Sequence, residues 1–113
     1  MPASLKYRYT TGPISGSQYQ DNIRILVLNN GSKKHIAQVK IFNLDTPTKS
    51  KVYDETFTIA PKSQNGTGYI PSFEAYEVQV LTDSSMVYSW VGDRSGNENL
   101  PGNTVLSKEM IRF

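Results

Sequence analysis

The chain has 113 residues, enough for one domain with a core of its own and little room for a second. Twelve Lys and Arg stand against ten Asp and Glu, a net charge of +2, which makes no case for an electrostatic nucleic-acid binder. There is no cysteine, so a disulfide framework, a thiol nucleophile and any cysteine-ligated metal site are excluded.

The first twenty residues read as a separate piece. Leu5, Tyr7 and Tyr9 alternate with Lys6 and Arg8, a short period-two segment. Thr11-Gly12-Pro13 breaks it, and Ser15-Gly16-Ser17-Gln18 has linker chemistry. Residues 1–20 are therefore expected to form an N-terminal arm, and residues 21–113 a β-sandwich domain. A first sandwich strand followed by a loop fits the same residues.

Asp21 to Asn29 carries Ile23, Ile25, Leu26, Val27 and Leu28, a strand buried on one face and partly on the other. Asn30-Gly31 after it is a strong hairpin signal. His35 to Leu44 follows, with Ala37, Val39 and Ile41 on one side and Gln38 and Lys40 on the other. Pro47 has no amide hydrogen for a ladder, so residues 45–49 read as a loop. Val52 to Ile59 is the next strand, ended by Pro61.

The stretch from Phe57 to Thr82 is the clearest architectural signal: strand, proline corner, glycine-rich loop, strand. Lys62 to Thr67 is expected as a turn, Gly68 to Ile70 as a short strand, and Phe73 to Thr82 as a strand with Tyr76, Val78 and Val80 on one face. Met86, Tyr88 and Trp90 form one stripe of the following strand, and Val87 and Val91 the other. Gly92 to Asn103 reads as a long polar loop, and Thr104 to Phe113 as a last strand. Ser107 to Met110 is too short to hold more than a helical turn. Seven or eight short strands without helices predict an all-β fold, a single antiparallel β-sandwich of jelly-roll or immunoglobulin-like type.

No catalytic constellation emerges. His35 is the sole histidine and cannot build a triad or a multi-histidine metal site alone, so it reads as an exposed turn residue. Asp93, Ser95, Asn97 and Asn99 alternate like part of a calcium loop. Gly96 stands at the fourth place instead of the sixth, and Thr104 at the twelfth gives no bidentate carboxylate, so a solvated loop is the expectation. Asp54 and Glu55 are neighbours on a strand and point apart, as do Glu74 and Glu77. Asn30-Gly31-Ser32 and Asn65-Gly66-Thr67 match the glycosylation sequon but are turn chemistry. No enzyme activity and no cofactor or metal are expected. The tyrosines and Trp90 fit either sheet packing or a glycan-binding face. Lysines 33, 34, 49, 51 and 62 lie at turns or strand ends, where they guard edges.

The layout MPASLKYRYTTGPISGSQ followed by about ninety β residues, with no apolar leader segment, resembles bacterial endospore appendage subunits. The resemblance implies a small jelly-roll domain with an N-terminal connector, polymerised by strand augmentation. Members of that group cross-link through connector cysteines; this chain has none, so a fibre would be held non-covalently. On this reading Leu5, Tyr7 and Tyr9 are the donor-arm residues that fill a neighbour's pockets while the backbone extends its sheet. The expected partners are copies of itself, with another surface or anchoring protein as a second possibility, and no nucleic acid or membrane insertion. The expected location is a cell or spore surface reached without a classical signal peptide; a cytoplasmic location also fits. The alternative is a non-catalytic sandwich that binds glycan or protein through its aromatic strands or the Gly92–Asn103 loop.

Overall fold

Alternating apolar residues need a second apolar face to cover them, and here two antiparallel sheets supply it to each other. The fold comes from a computed structural model that describes residues 5–15, 22–95 and 98–113. The strands are β1 (Tyr7–Thr10), β2 (Ile14–Ser15), β3 (Asn22–Asn29), β4 (His35–Asn43), β5 (Ser50–Ile59), β6 (Ser63–Tyr69), β7 (Ala75–Thr82), β8 (Val87–Ser95), β9 (Glu98–Leu106) and β10 (Ile111–Arg112). A single 3₁₀ turn at Ser107–Glu109 joins the last two. One sheet runs β10-β1-β7-β4-β5, with β2 also on β7; the other runs β6-β3-β8-β9. The all-β sandwich predicted from the sequence is the fold observed.

The core lies between the sheets. Ile23, Ile25 and Val27 of β3 and Val91 of β8 face Ala37, Val39 and Ile41 of β4 and Tyr76, Val78 and Val80 of β7, none more than 2% exposed. Burial of an aliphatic side chain of this size is worth about 1.5–3 kcal/mol, which is what pins the register of these strands. The alternation read for Ala37–Ile41 and Tyr76–Val80 is the one observed.

Three turns depart from the sequence expectation. Asn30-Gly31 is not a hairpin: β3 pairs with β6 and β8, whereas β4 pairs with β5 and β7, so residues 30–34 carry the chain from one sheet to the other. The buried Asn29 side chain enforces this corner. Its Nδ2 donates to the carbonyls of Lys33 (2.7 Å) and Ile59 (2.9 Å), and its Oδ1 accepts the Gly31 amide at 2.8 Å. Those bonds fold residues 30–34 back on Asn29 and tie the corner to the end of β5.

The glycine-rich segment after Pro61 is not a turn. Residues 63–69 are a full strand paired along β3, from Asn29↔Ser63 to Ile23↔Tyr69. Its glycines have low strand propensity, but at Gly66 a β3 side chain crowds the space that a larger residue would need. A Cβ on Gly66 would sit 2.7 Å from Leu26 Cδ2. The true corner is Lys62, at φ 56°, whose Nζ donates to the Asn30 carbonyl at 2.8 Å.

Gly92–Asn103 is likewise not a long loop. β8 continues to Ser95 and β9 begins at Glu98, with a register shift between Gly92 and Arg94. Gly96 and Asn97 of the calcium-loop comparison lie outside the described residues, and Asp93 and Ser95 fall in β8 and Asn99 in β9. Thr104–Phe113 is not one strand but the end of β9, the 3₁₀ turn and β10.

The arm lies along its own domain. β1 pairs with β7 from Tyr7↔Thr82 to Thr10↔Gln79, and β2 continues on the same strand at Ile14↔Tyr76. Gly12, at φ 68°, forms the bulge between them, a backbone shape that favours glycine. Thr11 closes the gap, its amide donating to the Val78 carbonyl and its hydroxyl accepting from the Val78 amide. The break at Thr11-Gly12-Pro13 is thus an irregularity in one extended segment laid along β7. Residues 1–4 of the arm and the linker residues 16–20 lie outside the described residues.

Candidate functional site on the outer face of the four-stranded sheet

A strand apolar at every position has a second face to place. In β3, Ile23, Ile25 and Val27 point inward, which leaves Arg24, Leu26 and Leu28 outward. In β8, Val87, Ser89 and Val91 point inward and Tyr88 and Trp90 outward. Residues opposite one another across a ladder share a face. The register therefore lays out three outer rows. Gly68, Arg24 and Gly92 form the first; Gly66, Leu26, Trp90 and Leu106 the second; Gln64, Leu28 and Tyr88 the third.

The glycines shape this surface. The Trp90 indole lies across Gly92, where a Cβ would come within 2.6 Å of the ring. The Arg24 guanidinium reaches toward Gly66, 3.5 Å from where its Cβ would be. The result is an open concavity of about 570 Å³ lined by Arg24, Leu26, Leu28, Gln64, Tyr88 and Trp90. Leu28, Tyr88 and Leu106 remain 41%, 42% and 41% exposed, an apolar surface that a folded monomer rarely leaves open without use. Arg24 has no carboxylate partner among the described residues.

A second concavity of about 350 Å³ adjoins the first at Tyr88, between Tyr9, Ser85, Val87, Ser107 and Lys108. Among the described arm residues, Tyr9 is therefore the one that reaches the neighbourhood of this face.

Leu5, Tyr7 and Tyr9 stand as follows. Tyr7 and Tyr9 pair with Thr82 and Val80 of β7, and all three are partly buried in their own domain. Arg112 lies 5.0 Å from the Tyr7 ring and Arg8 lies 5.2 Å from the Phe113 ring, so cation–π contacts hold β1 to the C-terminal strand. Thr10 is fastened by Glu77, whose Oε2 accepts from the Thr10 hydroxyl and from Gln79 Nε2, while Oε1 accepts from Lys49 Nζ at 3.0 Å. Burial pushes the Glu77 carboxyl up, but these three donors and the Lys49 charge outweigh it and hold it below its ordinary value.

The aromatics sort into two groups. Tyr53, Tyr69 and Phe73 stack at one end of the sandwich, with ring centroids 5.9 and 6.1 Å apart, and Tyr76 is fully buried. Burial raises the Tyr53 phenol above its usual range, helped by its hydrogen bond to Glu55 and opposed by that to Thr67. Among the aromatics of the described residues, only Tyr88 and Trp90 stand on the open face. Tyr19 lies outside the described residues.

His35 is not an exposed turn residue. It opens β4, partly buried, with Nδ1 3.2 Å from Asp83 Oδ1, the same oxygen that accepts the Ile36 amide. Among the described residues no three of His, Asp and Glu gather as metal ligands, and no helix is long and apolar enough to cross a membrane.

Arg24, Gln64 and the three glycines were missed from sequence. The continuous apolar run Ile25–Leu28 was the available signal, because it demands a second apolar face; which residues share that face depends on register.

No family model matches the chain, and no curated protein matches it in sequence. Solved structures do match in fold. The structure of Thermotoga maritima 1070 superposes with a TM-score of 0.60 at 10% identity, over 99% of this chain and 94% of that one. The Anabaena sensory rhodopsin transducer superposes with a TM-score of 0.53 at 10% identity, over 79% of this chain and 97% of that one. At this identity the likeness is one of fold.

Proposed function

We propose that the chain is a non-catalytic β-sandwich binding module that takes a glycan or protein ligand on the outer face of the β6-β3-β8-β9 sheet. One observation carries this reading: the 570 Å³ concavity in which Tyr88 and Trp90 stand side by side on one strand, flanked by Arg24 and Gln64. Small-molecule sites occupy roughly 300–1,000 Å³ and combine apolar and aromatic walls with a few orienting polar groups. Trp90 is the sole tryptophan, so its emission reports on this face alone. A glycan array and a peptide library, followed by emission titrations, test the reading. A bound class should shift the Trp90 emission and lose affinity in Tyr88→Ala. Silence across both collections sinks it.

A second reading is a structural subunit that assembles into a surface fibre by donating its N-terminal strand. The observation favouring it is that β1 is a discrete four-residue ladder on β7, entered through the Gly12 bulge. Another copy's Leu5, Tyr7 and Tyr9 would make the same pairings. Electron microscopy and size-exclusion chromatography of the full chain and of a chain lacking residues 1–12 decide it. Monomers from both, at every concentration, rule the fibre out.

A further inference from the structure

We infer that the ligand of this face is an acidic saccharide, a pyranose chain carrying carboxylates; this rests on the binding-module reading above. Three features of the face each ask something different of a ligand.

The first is ring geometry. Tyr88 and Trp90 are two residues apart on β8, so their side chains emerge on one face about 6.5–7 Å from each other. The indole lies along the sheet over Gly92 and does not project from it. A ligand that covers both rings must offer flat apolar faces repeated along its length. The C–H faces of successive pyranose rings meet that demand.

The second is charge. Arg24 sits between two glycines in its row, Gly68 and Gly92, so no neighbouring side chain of that row covers the guanidinium. No carboxylate of the described residues pairs with it, in contrast to Lys49 and Lys51, which are paired with Glu77 and Asp54. A planar guanidinium bound to a planar carboxylate makes two parallel charge-assisted hydrogen bonds, a geometry that a lysine would not select. A half-buried guanidinium lining the same concavity as the two rings is complementary to a uronate carboxylate.

The third is the polar group at the opposite end. Gln64 stands in the row of Leu28 and Tyr88, two rows from Arg24. A carboxamide both donates and accepts, as a sugar hydroxyl does. An extended peptide would be expected to add to the free backbone edge of β6 or β9 instead of crossing the face between them. Arg24 and Gln64 therefore flank the two ring faces of Trp90 and Tyr88, one matched to a carboxylate and the other to a hydroxyl.

The test uses the full chain and two probes that differ only in charge: tetragalacturonate and its fully methyl-esterified form, with a tetraglucuronate pair alongside to cover sugar stereochemistry. Tetraglutamate serves as a peptide of matched charge. Affinity is read by Trp90 emission and by calorimetry. The expected result is that an acidic tetramer binds about tenfold or more tighter than its ester. That preference should fall to within about twofold in Arg24→Gln, while Tyr88→Ala weakens acid and ester alike. Because Arg24 has no ion-pair partner among the described residues, Arg24→Gln should unfold at the wild-type denaturant midpoint, which keeps a folding defect from mimicking the result.

Equal binding of acid and ester overturns the acidic class and leaves the binding module standing. Tetraglutamate binding as tightly as the uronates overturns the saccharide. No binding of any uronate, with a neutral glycan or a peptide from the wider screen still shifting Trp90, overturns this inference alone. No response to any ligand overturns both.

Discussion

The two sheets cover each other with the same kind of residue, yet their outer faces are opposites. On the outer face of the larger sheet, polar groups are tied together. Glu77 holds Thr10, Gln79 and Lys49, and Asp54 holds Gln38 and Lys51. On the outer face of the smaller sheet, Leu26, Leu28, Tyr88, Trp90 and Leu106 lie open, and Arg24 has no carboxylate partner among the described residues. On the first face these two carboxylates are satisfied within the chain, and one of them fastens the arm. The second is open. Apolar surface left in water contributes nothing to folding, and this is the surface that the proposed ligand would cover.

The sharpest way to probe that difference is to cut one strand on each side. Ile25→Ala, facing the core and 1% exposed, should cost about 2–5 kcal/mol. Leu26→Ala, one residue on and facing out, should cost less than about 1.5 kcal/mol by urea denaturation. Equal losses would mean that the outer face is part of a packed interface within the chain.

Next in size is Gly92→Ala. The new Cβ would meet the Trp90 ring at 2.6 Å, so the indole must lift from the sheet. A loss of about 1–3 kcal/mol is expected, together with a changed tryptophan emission. Unchanged emission and stability would show that the indole does not lie over Gly92.

On the first face, Glu77→Gln should cost about 0.5–1 kcal/mol at pH 7, because Lys49 is half exposed and the pair is screened. The folded-state carboxyl is held below its ordinary value of 4.5, so its contribution is present above that pH. It is lost as pH falls from there through the depressed folded-state value. The gap between wild type and variant should therefore be full at pH 7 and closed in strong acid, measured by denaturation at each pH. A gap that persists in acid would exclude the charge as its cause.

The smallest effect separates the faces most cleanly. Tyr88→Ser should leave the denaturation midpoint within about 0.5 kcal/mol of wild type, since Tyr88 is 42% exposed and serves no internal contact described above. Its effect should appear in ligand titrations alone.

Much of the sandwich was legible because strand periodicity is local. Ala37, Val39 and Ile41, or Tyr76, Val78 and Val80, announce one buried face within a few residues. The turns were less legible. Asn30-Gly31 has hairpin chemistry, but the buried Asn29 amide takes the chain to the other sheet. Gly66 looks like a loop residue until Leu26 and Arg24 of β3 are placed against it, and Gly68 until it pairs with Arg24 in the ladder. The polar run after Gly92 looks like a loop until β8 and β9 pair along it.

The amino-acid sequence alone determined the class of fold, through alternation that only a two-sheet core can bury. It also named the arm and the aromatic stripe of Tyr88 and Trp90. Tertiary structure alone decided where these lead. The arm's backbone hydrogen bonds go to β7 of the same chain, a choice that depends on which sheet edge is nearest and on nothing in the arm itself. The candidate site takes its shape from the register of three strands, which sets Gly68, Arg24 and Gly92 in one row, and Gln64, Leu28 and Tyr88 in another. These residues lie far apart in the chain, and a one-residue slip in any ladder would dissolve the site while leaving the sequence as it is.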